Sequence, residues 1–203
     1  MGITIFYKGK LNNMQHVNSV VDELNDISEI MNWEKTILDN DWNQPNTAEL
    51  IRHENRIDIT GHIPLKGIRI NLHPDCEPLS IFFDKQGNLQ DILGMVLNHE
   101  ENEDSFNRHL SVKTQFASPN IHISIIKLLK FLKNKYISDL DVFDEGGYWE
   151  TENQELLEQK INFINEKLDK VEEIITTIQE DLSRLPREEA IKLLEKTLRD
   201  RLK

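Results

Sequence analysis

The sequence predicts an α+β fold: a mainly antiparallel sheet with two helices packed on one face, then a C-terminal helical extension. Three observations carry this. Apolar and polar residues alternate with period two through much of residues 50–116. Helical apolar spacing marks one segment before that region and one after it. From residue 157 a heptad takes over. Strands grouped between helices fit a layered α+β domain better than alternating βαβ units. The division expected is an α+β domain over 1–150 and a helical, coiled-coil-like extension over 151–203.

The elements follow in order. "ITIFYKG" is rich in β-branched and aromatic residues and closes on Gly9, as a strand does. Val17, Val20, Val21, Leu24, Ile27 and Met31 recur at helical spacing, with Asp22, Glu23, Asp26 and Glu29 outside. "WEKTIL" reads as a short strand, and the polar run "DNDWNQPNTAE" as a loop. "RIDITG", "GIRINLH" and "LSIFFD" are strands; "HPDCEP" is a turn, and Gly87 in "DKQGN" suits a tight hairpin loop. "LQDILGMVL" fits strand or helix, "NHEENEDSFNR" is a charged loop, and "VKTQF" alternates as a strand. Ser118-Pro119 then opens a helix, Ser as cap and Pro at the first turn. Ile121, Ile125, Leu128, Leu129, Leu132 and Tyr136 give it a broad apolar face, and Lys127, Lys130, Lys133 and Lys135 suit its C-terminal dipole. "ISDLDVF" is the last strand. About six strands are expected, with helices near 14–32 and 119–135.

Leu157, Ile161, Ile164, Leu168, Val171, Ile175, Ile178 and Leu182 are spaced alternately four and three apart, a seam of more than three heptads. Pro186 breaks it, and a second helix resumes with Ile191, Leu194, Leu198 and Leu202. β-branched residues at the d positions and Ile174 beside the seam fit a parallel two-stranded coil poorly. A helical hairpin folding back at Pro186, or an assembly of hairpins, is expected. The uncovered face of the sheet would be covered by this extension or by a second subunit.

Charge limits the function classes. A net charge of −12 and a mean hydropathy of −0.53 over 203 residues argue against nucleic acid as a partner and for a partner protein, a basic one by complementarity. One cysteine, Cys76, allows no internal disulfide. The opening "MGITIFYKGKLNN" has no signal-peptide core, and Phe6 stands where a myristoylation signal has Ser or Thr. No apolar run approaches a membrane span. A cytoplasmic protein is expected, and the plentiful Asn, Lys and Ile suggest a bacterial one. No cofactor is implied.

The stretch "DLDVFDEGGYWETENQ", residues 139–154, sets six acidic residues around Gly-Gly and Tyr-Trp pairs, with no basic residue. Asp144, Glu145, Glu150 and Glu152 could offer oxygen ligands to a hard cation, although the spacing of an EF-hand is absent. Asp144, Glu145, Tyr148, Trp149 and Glu150 could equally dock a basic partner. The structural reading accounts for more of the letters. A strand ends at Phe143, the two glycines turn, Tyr148 and Trp149 pack over a helix start, and Thr151 with Gln154 stand in capping-box register. "HPDCEP" groups His73, Asp75 and Cys76 as weak metal candidates, but no second ligand pair completes a zinc site. Cys76 as a nucleophile would need His73 or His122 as its base. Trp33, Trp42 and Trp149 could line a pocket, or serve a core. There is no H-E-x-x-H, G-x-S-x-G, Walker loop or G-x-G-x-x-G.

The runs "GIRINLHPDCEPLSIFFDKQGNL" and "VKTQFASPNIHISIIKLLKFLKNKYISDLDVFDEGGYWET" resemble a family of uncharacterised bacterial cytoplasmic proteins with no assigned activity, over roughly residues 1–180. The resemblance implies a bacterial cytoplasmic origin and no site residues. The expected function is a non-enzymatic interaction module, self-associating through residues 155–203, in an accessory or neutralising role in a bacterial defence or toxin system. The alternatives are a metal-dependent hydrolase or nuclease, with Asp144, Glu145 and His73 meeting across the sheet, and a small-molecule-binding domain lined by Trp33 and Trp149.

Overall fold

A computed structural model describes residues 3–54, 56–97 and 109–201. The charged loop expected over 98–108 lies outside the described residues, as do Gly2 and Leu202. The chain divides into two compact units, Gly2–Glu152 and Asn153–Lys203.

The first unit holds eight described strands, all paired antiparallel: β1 (Thr4–Lys8), β2 (Glu34–Asp39), β3 (Glu49–Arg52), β4 (Ile57–Thr60), β5 (Lys66–Asn71), β6 (Leu79–Phe83), β7 (Leu110–Lys113) and β8 (Asp141–Asp144). They do not form the single sheet of about six strands that the alternation predicts. They form three sheets, ordered β7-β1-β8, β2-β5-β6 and β3-β4. The chain after β1 passes from one large sheet to the other: Leu11 N–H donates to the Gly87 carbonyl and Leu89 N–H to the Gly9 carbonyl, both at 2.9 Å. Strand β3 was not legible, because four residues of Glu-Leu-Ile-Arg carry too little periodicity to separate from loop. Strand β7 starts two residues earlier than "VKTQF" suggests, and "ISDL" is a turn whose Leu140 N–H bonds to the Ile137 carbonyl at 3.0 Å.

Helix α1 (Val17–Ile30) packs on β2 and β5, and α3 (Pro119–Lys135) shares its core. That core joins Ile5 and Tyr7 of β1, Ile68 and Ile70 of β5, Leu79 and Ile81 of β6, Leu24 of α1 and Leu129 of α3. Ser118 occupies the cap position of α3 but its side chain makes no capping hydrogen bond; Pro119 follows in the first turn. The opposite face of the β2-β5-β6 sheet was expected to be covered by the extension or a second subunit. A smaller core of Ala48, Ile63, Leu65, Phe82 and Val96 lies there, with Leu38 and Leu50 packed against it. Short α2 (Ile92–Leu97) supplies Val96. Gly67 lets β5 and β6 lie close at this point, since a Cβ on it would sit 2.0 Å from the Ile81 carbonyl oxygen.

The second unit consists of α5 (Gln154–Arg184) and α6 (Arg187–Arg201), which pack on each other. A one-turn helix, α4 (Tyr148–Thr151), precedes it. The capping-box reading of Thr151 and Gln154 is corrected. Thr151 ends α4, Glu152 takes a left-handed φ of 52°, and Asn153 caps α5 by accepting the Leu156 N–H at 3.0 Å. Pro186 ends one helix and begins the next, its carbonyl accepting the Ala190 N–H.

Candidate functional site

The acidic stretch divides between inward and outward carboxylates. Strand β8 alternates, so Val142 and Asp144 point into the protein while Asp141 and Phe143 face out. The Asp144 side chain is fully buried. Its carboxylate accepts the Gly146 N–H at 2.7 Å and the Trp149 N–H at 2.9 Å, and meets His122 Nε2 at 3.1 Å. His122 Nδ1 lies 2.8 Å from Thr114 Oγ1, which is 3.3 Å from the Ile3 carbonyl. This Thr114–His122–Asp144 chain ties β7, α3 and the turn after β8 together beneath the surface. Burial alone would raise the Asp144 carboxyl; the His122 hydrogen bond and charge, with the two N–H donors, outweigh it and hold the group below its usual range.

The other residues of the stretch build the joint. Gly147 turns with a φ of 76°, and Tyr148 and Trp149 pack against the main core. Glu145 accepts the Thr4 N–H at 2.8 Å, and Glu150 is exposed. Glu152 pairs with Lys130, whose ammonium lies 5.6 Å from the Trp149 ring centroid. The Lys130 hydrogen bond holds the Glu152 carboxyl below its usual range. Of the other α3 lysines, Lys133 donates to the Leu140 carbonyl and Lys135 pairs with Glu23.

In "HPDCEP", His73 Nδ1 accepts the Asp75 N–H at 3.2 Å, while Cys76 is buried and its thiol donates to the Glu77 carbonyl at 3.1 Å. Burial, then the nearby Glu77 charge, pushes the thiol up to about 12. His122, the more distant base considered for it, is engaged with Asp144 instead. Among the described residues no three His, Cys, Asp or Glu side chains come together to hold a metal ion. The Asp144–Glu145–His73 grouping therefore does not form.

The seam residues follow the helix but not the heptad. Leu157, Ile161, Ile174 and Ile178 are buried, whereas Leu168 and Ile175 are 39% and 40% exposed. At about 100° per residue the covered face turns by roughly a quarter revolution between Ile161 and Ile178. The drift of a 3.6-residue helix from a 3.5-residue repeat, about 20° per heptad, supplies about half of that turn. The rest comes from the step of the buried pair from Leu157 and Ile161 to Ile174 and Ile178. Ile174, off the predicted seam, goes inside, and the stripe of Leu168 and Ile175 stays outside. Helix α6, about 22 Å long, reaches back along only the second half of α5.

A cavity of about 690 Å³ opens on the second face of the β2-β5-β6 sheet, bounded by α2, β4, β7 and Tyr7 of β1. Neither Trp33 nor Trp149 lines it; both pack on the main core. Trp42 donates its Nε1–H to the Phe83 carbonyl at 3.0 Å. The polar slots of "GIRINLH" were the one signal for this cavity, since Arg69 faces away from Ile68 and Ile70. Compared with protein-family models, curated proteins and solved structures, the chain finds no match. Among the described residues no helix is long and apolar enough to cross a membrane.

Proposed function

We propose that this protein is a non-enzymatic interaction module whose α5–α6 pair associates with the same pair of a second copy. The observation that carries the reading is the Leu168–Ile175 stripe, left exposed on a helix whose apolar repeat runs continuously through it. A second helix completes such a stripe by burying it. Charge favours a second copy as the occupant. Residues 153–203 hold twelve acidic and ten basic side chains, against twenty-four and fourteen in residues 1–152. Self-association through the helical unit thus avoids most of the protein's negative charge. Within it, α5 carries eight acidic and four basic residues and α6 four acidic and five basic, so α6 of one copy complements α5 of another. The groups that could have served catalysis support the same reading: Asp144 is committed to a buried network, and the Cys76 thiol is far from ionised at neutral pH.

The test is the mass of the full chain in solution by sedimentation equilibrium over a wide concentration range. The wild type should exceed the monomer mass with rising concentration, and Leu168→Glu with Ile175→Glu should be monomeric with unchanged far-UV circular dichroism. A wild type monomeric throughout, or a folded double variant of unchanged mass, overturns the proposal.

A further inference from the structure

We infer that the cavity beside Arg69 binds a small organic carboxylate, a molecule with an apolar body and a single anionic end. Its volume of about 690 Å³ is that of a small-molecule site. The polar groups lining it sort into those already engaged and those still free. The Tyr7 hydroxyl donates to the Ser80 carbonyl at 2.8 Å and accepts the Ser80 N–H at 3.2 Å. Glu77 accepts the Lys113 N–H at 2.8 Å, and Asp91 accepts the Gly94 N–H at 2.9 Å. His109 is 3.3 Å from Asp141. Among the described residues, the Arg69 guanidinium and the Ser80 and Ser111 hydroxyls have no partner.

All three of these free groups can donate, and one carries a fixed positive charge. Arg69 and Ser80 are directly opposite one another on β5 and β6, so their side chains share the face that forms the cavity floor. A guanidinium fork matches a carboxylate with two parallel hydrogen bonds, and a nearby hydroxyl can add a third. Glu77 and Asp91 each turn one carboxylate oxygen to a main-chain N–H, so the fork geometry of Arg69, and not the net charge of the lining, selects the anion. A monoanion suits the site better than a dianion because the whole protein carries −12.

The walls define the rest of the ligand. Ile59 and Leu93 are 38% and 50% exposed where they line the cavity, and Leu89, Ile92, Met95 and Leu110 continue the apolar surface. Exposed apolar walls beside an unpaired cation fit a molecule that buries hydrocarbon against the first and places its charge on the second. This site is independent of the α5–α6 association.

Calorimetric titration of the full chain at neutral pH with octanoate, octanamide, octylammonium and acetate tests the assignment. Octanoate should bind saturably, at least about tenfold tighter than octanamide or acetate, because a hydrogen bond to a charged group contributes that much or more. Octylammonium should show no saturable binding. Arg69→Met should weaken octanoate by about tenfold or more and leave octanamide unchanged, with Arg69→Lys between. Thermal unfolding checks that the variants are folded, and the probe series on wild type decides the case if they are not. Octanamide or octylammonium binding as tightly as octanoate overturns the inference. So does octanoate binding unaffected by Arg69→Met in a folded protein, or no saturation at millimolar octanoate.

Discussion

Replacing Asp144 by Ala removes the acceptor on which the turn after β8 is built. Two main-chain donors, Gly146 N–H and Trp149 N–H, and the His122 imidazole then lose their partner together. An orphaned buried hydrogen-bonding group costs about 1–3 kcal/mol, and three lose their acceptor here. The Trp149 N–H is only part-buried, so water can reach it and soften the loss. The expected destabilisation is therefore about 3–4 kcal/mol, a large share of the 5–15 kcal/mol typical of a folded domain. In melting temperature this amounts to roughly 10 °C. Urea unfolding followed by tryptophan fluorescence measures it, and a double-mutant cycle with His122→Leu isolates the coupling. The two substitutions together should cost less than their sum, by about 1 kcal/mol or more. Acid titration adds a second reading. The folded carboxyl lies below its unfolded value of about 3.9, so its stabilisation is whole above that pH and is lost as pH falls through the folded value. Asp144→Asn should lack this part of the acid slope. A loss below about 1 kcal/mol for Asp144→Ala, additive single costs, or parallel acid curves would refute the reasoning.

Two further outcomes follow from the site geometry. Cys76, with its thiol pushed up to about 12 and its side chain buried, should resist a thiol reagent at mildly alkaline pH until urea unfolds the chain; rapid labelling of the native protein contradicts this placement. Asn153→Ala should cost about 1 kcal/mol in urea unfolding monitored by far-UV circular dichroism, through loss of the α5 cap. A larger cost for Thr151→Ala would mean that the cap has been placed on the wrong residue.

Local pattern alone determined the α+β class, both long helices of the first unit, most strands and the break at Pro186. These depend on short-range terms: period-two or helical apolar spacing, β-branched content, and Pro and Gly at boundaries. Even the joint at 139–154 was legible as a strand end, a glycine turn and a helix start. The cap itself moved from Thr151 to Asn153 because the turn beginning at Gly147 closes a one-turn helix first. Tertiary structure decided the rest. Alternation does not say which strands pair, so one expected sheet became three. Burial of Asp144 was set by α3 bringing His122 beneath β8, a contact across 22 residues that no spacing rule encodes. The heptad named the seam, but the 3.6-residue period of the helix and the reach of α6 favoured Ile174 over Ile175. The cavity at Arg69 arises where β1, β4, β5, β6, β7 and α2 meet, and only the packed chain brings those segments to one place.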